Sequence, residues 1–180
     1  MFTGAQAQAA GRRGTNTMIF AAFGDVHGNW PALEAILAEV DAEGIQTVVS
    51  TGDCVVGHPW PNEVIECLRE RKIPSVQGEW DRLALRFVRK RKTIETKCTP
   101  KEIAALDETY SRCSSQNLEF LRGLPGSLTL TVDGIEIGLC HGGFAGHTEG
   151  LEPDGLAQDF RRQREIVPAP ILVCGRTHRA

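Results

Sequence analysis

The segment Phe23-Gly24-Asp25-Val26-His27-Gly28-Asn29 closes the apolar run Met18-Ile19-Phe20-Ala21-Ala22-Phe23 with a carboxylate, an imidazole two residues later and a small-residue turn. Side chains two apart on extended backbone point the same way, so Asp25 and His27 can close on one centre. A hard oxygen beside a borderline nitrogen suits Mn, Fe or Zn better than Ca. An Asp that caps the next helix, followed by an ordinary turn histidine, leaves the same letters. The rest of the chain has to choose between the two.

Outward from this point the pattern repeats. Leu33, Ile36, Leu37 and Val40 fall at i, i+3, i+4 and i+7, which predicts a helix from about Pro31 to Ala42 closed by Gly44. The β-branched strand Thr47 to Ser50 runs into Gly52-Asp53, a second strand ending on a carboxylate. A helix over Pro61 to Arg71 and a short strand Ile73 to Val76 lead to Gly78-Glu79-Trp80-Asp81. Strands alternating with helices through short connections predict parallel pairing with right-handed crossovers, and ligands then gather beyond the carboxyl ends of the strands. Asp25, Asp53 and Glu79 are expected to converge there.

Residues 82–123 read as helical, with a capping box at Thr99-Pro100-Lys101-Glu102 and a further helix from Ser115 to about Leu124. Ser127–Val132 and Ile135–Cys140, joined by Asp133-Gly134, predict a hairpin whose second strand ends in His141. A glycine-rich loop over 144–155 and a polar helix near Leu156–Ile166 precede the strand Ile171–Cys174, which runs into Gly175-Arg176-Thr177-His178.

Composition narrows the classes. At 180 residues and 41% hydrophobic content the chain suits one globular domain, here residues 18–180. A formal net charge of −3 argues against a partner held by phosphate neutralisation along a nucleic-acid polymer. Six cysteines without a C-x-x-C pair signal neither a zinc knuckle nor a disulfide framework, and are expected reduced. No apolar run reaches membrane-spanning length and residues 1–17 lack a signal-like apolar core, so the expected location is cytoplasmic. That leader is expected to be disordered, with Met18 as the natural start.

Gly24-Asp25-x-His27-Gly28-Asn29, Gly52-Asp53, Gly78-Glu79-x-Asp81, Cys140-His141-Gly142 and Gly175-Arg176-Thr177-His178 together resemble the calcineurin-like metallophosphoesterase superfamily, most of all its small single-domain bacterial and archaeal phosphodiesterase branch. The likeness extends to Gly57, Pro61-Asn62-Glu63-Val64 and Leu118-Glu119-Phe120-Leu121. It implies an α/β fold, an αββα sandwich of two mixed sheets flanked by helices. It also implies metal-dependent hydrolysis of a phosphodiester or phosphomonoester, a nucleotide among the options, in which ions clamp the phosphoryl group and activate a water for in-line attack. The implied cofactors are one or two divalent ions, Mn first and Fe, Zn or Ni after it; the implied partner is a small phosphorylated substrate, and a homo-oligomer stays open. By position, Asp25, His27, Asp53 and His178 would hold the first ion. Asp53 would bridge to a second, which takes His141, and Asn29 would stand near the phosphate.

The departures from that pattern concern the second ion. Relatives carry Asn where Glu79 stands and His where Arg176 stands. A guanidinium has no lone pair to give, so Arg176 is no ligand. Either Glu79 pairs with Arg176, whose charge then replaces that of the second ion, or Asp53, Glu79 and His141 hold a weaker ion. A catalytically impaired relative that binds a phosphorylated ligand or regulates a partner is the rival reading. Trp80 replaces a histidine that relatives use as general acid, with His58 and His147 as substitutes. The chain stops at Ala180, where relatives continue into further strands, which leaves one sheet short or marks a truncated product. Basic residues from Arg82 to Lys92 form a face that would guide anions or simply meet water. The turn after the first strand argues against a nicotinamide dehydrogenase, because it lacks G-x-G-x-x-G and puts Asp25 where pyrophosphate needs bare backbone.

Overall fold

In this computed structural model, which describes residues 18–146, 150–152 and 154–178, strands β1 (Ala21–Phe23) and β2 (Val48–Ser50) pair in parallel, Ala21 with Val48 through Phe23 with Ser50. Helix α1 (Trp30–Ala42) makes the crossover between them. Its buried stripe is Leu33, Leu37 and Val40, whereas Ile36, expected inward, is exposed. Pro31 sits in the first turn, where a missing N–H costs nothing. The strand expected over Ile73 to Val76 shrinks to one parallel bridge, Ser50 with Ser75. Pro74 has no N–H to donate, so a longer ladder cannot form.

Helices α2 (Pro61–Glu70), α3 (Glu79–Glu95), α4 (Pro100–Arg112) and α5 (Ser115–Gly123) follow. Leu33, Val64, Ile65, Leu68, Phe87, Leu106 and Leu121 are fully buried in one cluster with Phe23, so the helices and the β1–β2 sheet share a core. Burying each such side chain is worth about 1.5–3 kcal/mol. The capping box of α4 is present: Glu102 N–H donates to Thr99 Oγ1 (3.3 Å), and Thr99 N–H donates to the Glu102 carboxylate (2.6 Å). Helix α3 leaves helical geometry at Lys90 (φ −121°, ψ 23°).

The second sheet has the order β3 (Ser127–Val132), β4 (Ile135–Cys140), β5 (Ile171–Cys174). β3 and β4 form the antiparallel hairpin that Asp133-Gly134 predicts, and β4 and β5 run parallel, Ile137 with Ile171 through Cys140 with Cys174. Alternation decides which residues face inward. Leu139, Val173, Leu128 and Leu130 meet Val49 and Val76 in a core between the two sheets. On the other face, Gly138 leaves room for Phe144 and Val167. Helix α6 (Ala157–Ile166) is tied to this side by buried Gln163, whose Oε1 accepts from Phe144 N–H (2.6 Å) and Ala145 N–H (3.2 Å). The layers are thus helices, sheet, sheet and helix, and β1, β2, β4 and β5 all end along one edge. The expectations for residues 1–17 and for His147 lie outside the described residues.

Candidate metal centre

Asp25 and His27 follow β1, Asp53 follows β2, His141 follows β4, and Arg176 and His178 follow β5. All but His141 take left-handed backbone: φ is 54° at Asp25, 52° at His27, 51° at Asp53, 73° at Arg176 and 54° at His178. Side chains rarely accept this, at about 1–3 kcal/mol each, and such strain clusters where function needs a fixed direction. The loops hold it through one another. Asp25 N–H donates to Gly52 O (2.9 Å), His27 N–H to Asp53 O (2.9 Å), and Gly175 N–H to His141 O (2.8 Å).

Asp25, Asp53, His27 and His141 are each half satisfied by backbone. Asp25 Oδ2 accepts from Arg176 N–H (2.9 Å), and Asp53 Oδ1 accepts from Trp80 N–H (2.8 Å). His27 Nδ1 lies 2.9 Å from Val56 O and His141 Nδ1 lies 2.9 Å from Thr51 O, which assigns the proton to Nδ1 in both rings. The remaining atoms converge: His141 Nε2 is 3.1 Å and His27 Nε2 3.9 Å from Asp53 Oδ2, and His178 Nε2 is 3.3 Å from Asp25 Oδ1. Two overlapping triads result, Asp25-His27-His178 and Asp25-Asp53-His141, each with ligand atoms within 4.8 Å of one another. Asp25 Oδ1 and His141 Nε2 are buried and make no hydrogen bond. Orphaned acceptors of this kind cost free energy unless something fills them, and two carboxylates among three imidazoles ask for a cation. Burial opposes charge on His141, yet Asp53, the Thr51 carbonyl and Asp25 overcome it and raise its pKa. The donor set fits a divalent ion with mixed oxygen and nitrogen ligands.

Glu79 stands outside both triads, in the first turn of α3, with its carboxylate on the Arg176 guanidinium. The two line a cleft of about 520 Å³ with Asp53, Trp80 and His178. Asn29 is also outside: its Oδ1 accepts from Ala32 N–H (3.3 Å) as the N-cap of α1. His58 is exposed, with its N–H on His27 O (2.8 Å). Cys54 and Cys140 are buried in the core and Cys174 is half-buried; Cys140 and Cys174 have their sulfurs 3.4 Å apart, and all six cysteines are free thiols.

Two residues with no role read from the sequence hold the centre. Asp81, fully buried, accepts from Cys54 N–H (2.9 Å), Val55 N–H (3.2 Å) and Gly78 N–H (3.0 Å), tying the Asp53 loop to the start of α3. Burial, with Asp53 nearby, pushes its carboxyl up to about 7. Its position three residues after Gly78, at the third place of a helix, was the available signal. Thr51 offers its carbonyl to His141, and its hydroxyl donates to Phe23 O (3.3 Å). A Cβ at Gly24 would come within 1.9 Å of that hydroxyl and one at Gly175 within 2.4 Å, so both positions exclude side chains. A backbone carbonyl leaves no mark in the sequence, which is why Thr51 was silent.

A model of the calcineurin-like phosphoesterase superfamily domain matches residues 18–180, and the chain belongs to that superfamily. It is 28% identical over 128 residues to an uncharacterised protein of Methanocaldococcus jannaschii, a stretch covering 68% of this chain and 49% of that one. The chain thus spans about half the length of this curated relative. The crystal structure of a hypothetical protein from Pyrococcus horikoshii superposes with a TM-score of 0.74 at 24% identity, covering 87% of this chain and 69% of that one. A metallophosphoesterase from Sphaerobacter thermophilus gives 0.67 at 25% identity, covering 88% and 60%. Both neighbours share the two-sheet fold. Among the described residues no helix is long and apolar enough to cross a membrane.

Proposed function

We propose that this protein is a metal-dependent phosphoesterase that hydrolyses a small phosphodiester or phosphomonoester, with nucleotides among the candidate substrates. The observation that carries this reading is the pair of buried, unpartnered ligand atoms, Asp25 Oδ1 and His141 Nε2, aimed into one cluster with His27, Asp53 and His178. Asp25, His27 and His178 would hold one divalent ion, and Asp53 with His141 a second, Asp25 belonging to both triads. When bound, such ions supply Lewis acidity to phosphoryl oxygens and lower the pKa of water. Mn is the favoured metal on the mixed donor set. The residues themselves fix direction: the carbonyls of Thr51 and Val56 hold the Nδ1 protons, so Nε2 of His141 and His27 presents its lone pair. Arg176, steadied by Glu79 at the cleft, offers a planar cation to phosphoryl oxygens. Asn29 serves through the α1 cap that closes the Asp25–Gly28 turn. Six cysteines without a C-x-x-C pair favour a reducing, cytoplasmic location.

The test is turnover of bis-p-nitrophenyl phosphate and p-nitrophenyl phosphate by Mn-reconstituted protein, with metal counted per chain. Wild-type protein is expected to turn over at least one, and Asp53→Ala to lose more than about 100-fold, the upper range for mere outer-shell partners. The Glu79–Arg176 pair favours a second reading, a binding protein whose second ion is replaced by charge. Tight nucleotide binding with no turnover at high Mn would select it.

A further inference from the structure

Strands β4 and β5 pair in parallel with Cys140 opposite Cys174, one residue before His141 and one before Gly175. Leu139 and Val173 lie in the core between the sheets, so alternation puts the two thiols together on the other face. Their sulfurs are 3.4 Å apart. Neighbouring strands lie about 4.8 Å apart, inside the Cα separation of roughly 4.4–6.8 Å that a disulfide spans. Cys140 is 1% exposed and Cys174 is half-buried, so a small solute meets Cys174 first.

Both strand ends bear on the ligand atoms. His141, next to Cys140, has its Nε2 3.1 Å from Asp53 Oδ2 and gives its carbonyl to Gly175 N–H (2.8 Å). Two residues past Cys174, Arg176 N–H donates to Asp25 Oδ2 (2.9 Å). Bonded sulfurs are about 2.05 Å apart, so joining this pair from 3.4 Å takes roughly 1.3 Å out of the gap. Ligand distances in a metal site tolerate about 0.2 Å. Rotation of the two side chains absorbs part of the closure. The seam has little slack for the rest: a Cβ at Gly175 would come within 2.4 Å of Thr51 Oγ1 and 2.9 Å of Asp25 Oδ2.

We propose that Cys140 and Cys174 are a redox modification site, which hydrogen peroxide closes to a disulfide and which, when closed, loosens the metal centre. The sulfur of Cys174 attacks one peroxide oxygen, the O–O bond breaks, and water leaves with the thiol proton, giving a sulfenic acid. The sulfur of Cys140 then attacks the sulfenic sulfur. The S–S bond forms, the S–O bond breaks, and a second water carries off the Cys140 proton. Two thiols lose two electrons and two protons, and the peroxide is reduced to two waters. A dithiol reverses the bond by exchange. A transient, sensing disulfide is the kind that a reducing compartment permits.

The experiment treats the full, metal-free chain with hydrogen peroxide and removes the oxidant. Thiols are then counted after denaturation, cross-linked peptides are mapped, and Mn is titrated by calorimetry. Two of the six thiols should be lost, joined as Cys140–Cys174. The dissociation constant for Mn should rise about 10- to 100-fold, the range for disturbed outer-shell partners, and dithiothreitol, removed before the titration, should restore it. C174S, a change at the half-buried member, should keep its Mn affinity through the same treatment, which separates the bond from oxidation elsewhere. The wild-type comparison before and after oxidation stands even where C174S does not fold. Six titratable thiols after treatment, a cross-link between other cysteines, or a Cys140–Cys174 bond that leaves Mn affinity unchanged overturns the proposal. Reduced protein that binds no Mn overturns the control of the centre together with the metal reading, and the peptide map still decides the bond.

Discussion

The Asp81 carboxylate collects three backbone N–H groups, two from the Asp53 loop and one from the start of α3. Its removal leaves those donors buried and unanswered. Asp81→Ala is expected to cost about 3 kcal/mol, since each lost bond to a buried charge is worth roughly 1.5–3 kcal/mol and the loops relax in part. Urea unfolding checks that number, and Mn titration checks that metal affinity falls with it, which general destabilisation alone would not produce in protein that stays folded. Glu79 shows how one residue's meaning depends on another's. Beside an imidazole at position 176 a carboxylate would be free to ligate, whereas beside a guanidinium it is drawn into an ion pair.

At the scale of elements, the Thr99–Glu102 box is the clearest local device. Thr99→Ala should lower stability by about 1 kcal/mol, read by urea denaturation. Thr99 N–H and its hydroxyl hold the Glu102 carboxyl below its ordinary value of 4.5. The folded pKa is the lower one, so this contribution is present above pH 4.5 and is lost as pH falls through the lowered value. Glu102→Gln should flatten that part of the acid limb. Elements like this were legible because their causes are local: the box, the Asp133-Gly134 turn and the Leu33-Leu37-Val40 stripe all lie within a few residues. The strand expected at Ile73–Val76 failed on a rule equally local, the missing N–H of Pro74. Ile36 satisfies the helical period but stays exposed, and only the packed molecule decides that. The same limit applied at the site. That Asp25, Asp53, His141 and His178 gather at strand ends could be read along the chain. Which oxygen of each carboxylate is spent on an N–H depends on contacts between distant loops, whereas the Asn29 cap of α1 is local, three residues from its donor Ala32.

For the whole molecule, the centre joins two sheets that also pack through side chains such as Val49, Val76 and Leu139. Asp25 and Asp53 come from one sheet, His141 and His178 from the other. A bound ion therefore acts across the interface, and at about 100 times its dissociation constant contributes roughly 2.7 kcal/mol, or about 5–10 °C for a domain this size. Differential scanning fluorimetry should show that rise with Mn and its reversal by EDTA. Thr51 stands at the same seam, its hydroxyl filling the space that Gly24 and Gly175 leave open from opposite sheets. Drift in sequence is constrained accordingly. A lineage that places a side chain at position 24 or 175 must first surrender the one at 51, so these three positions should vary together or not at all, however far apart they lie along the chain.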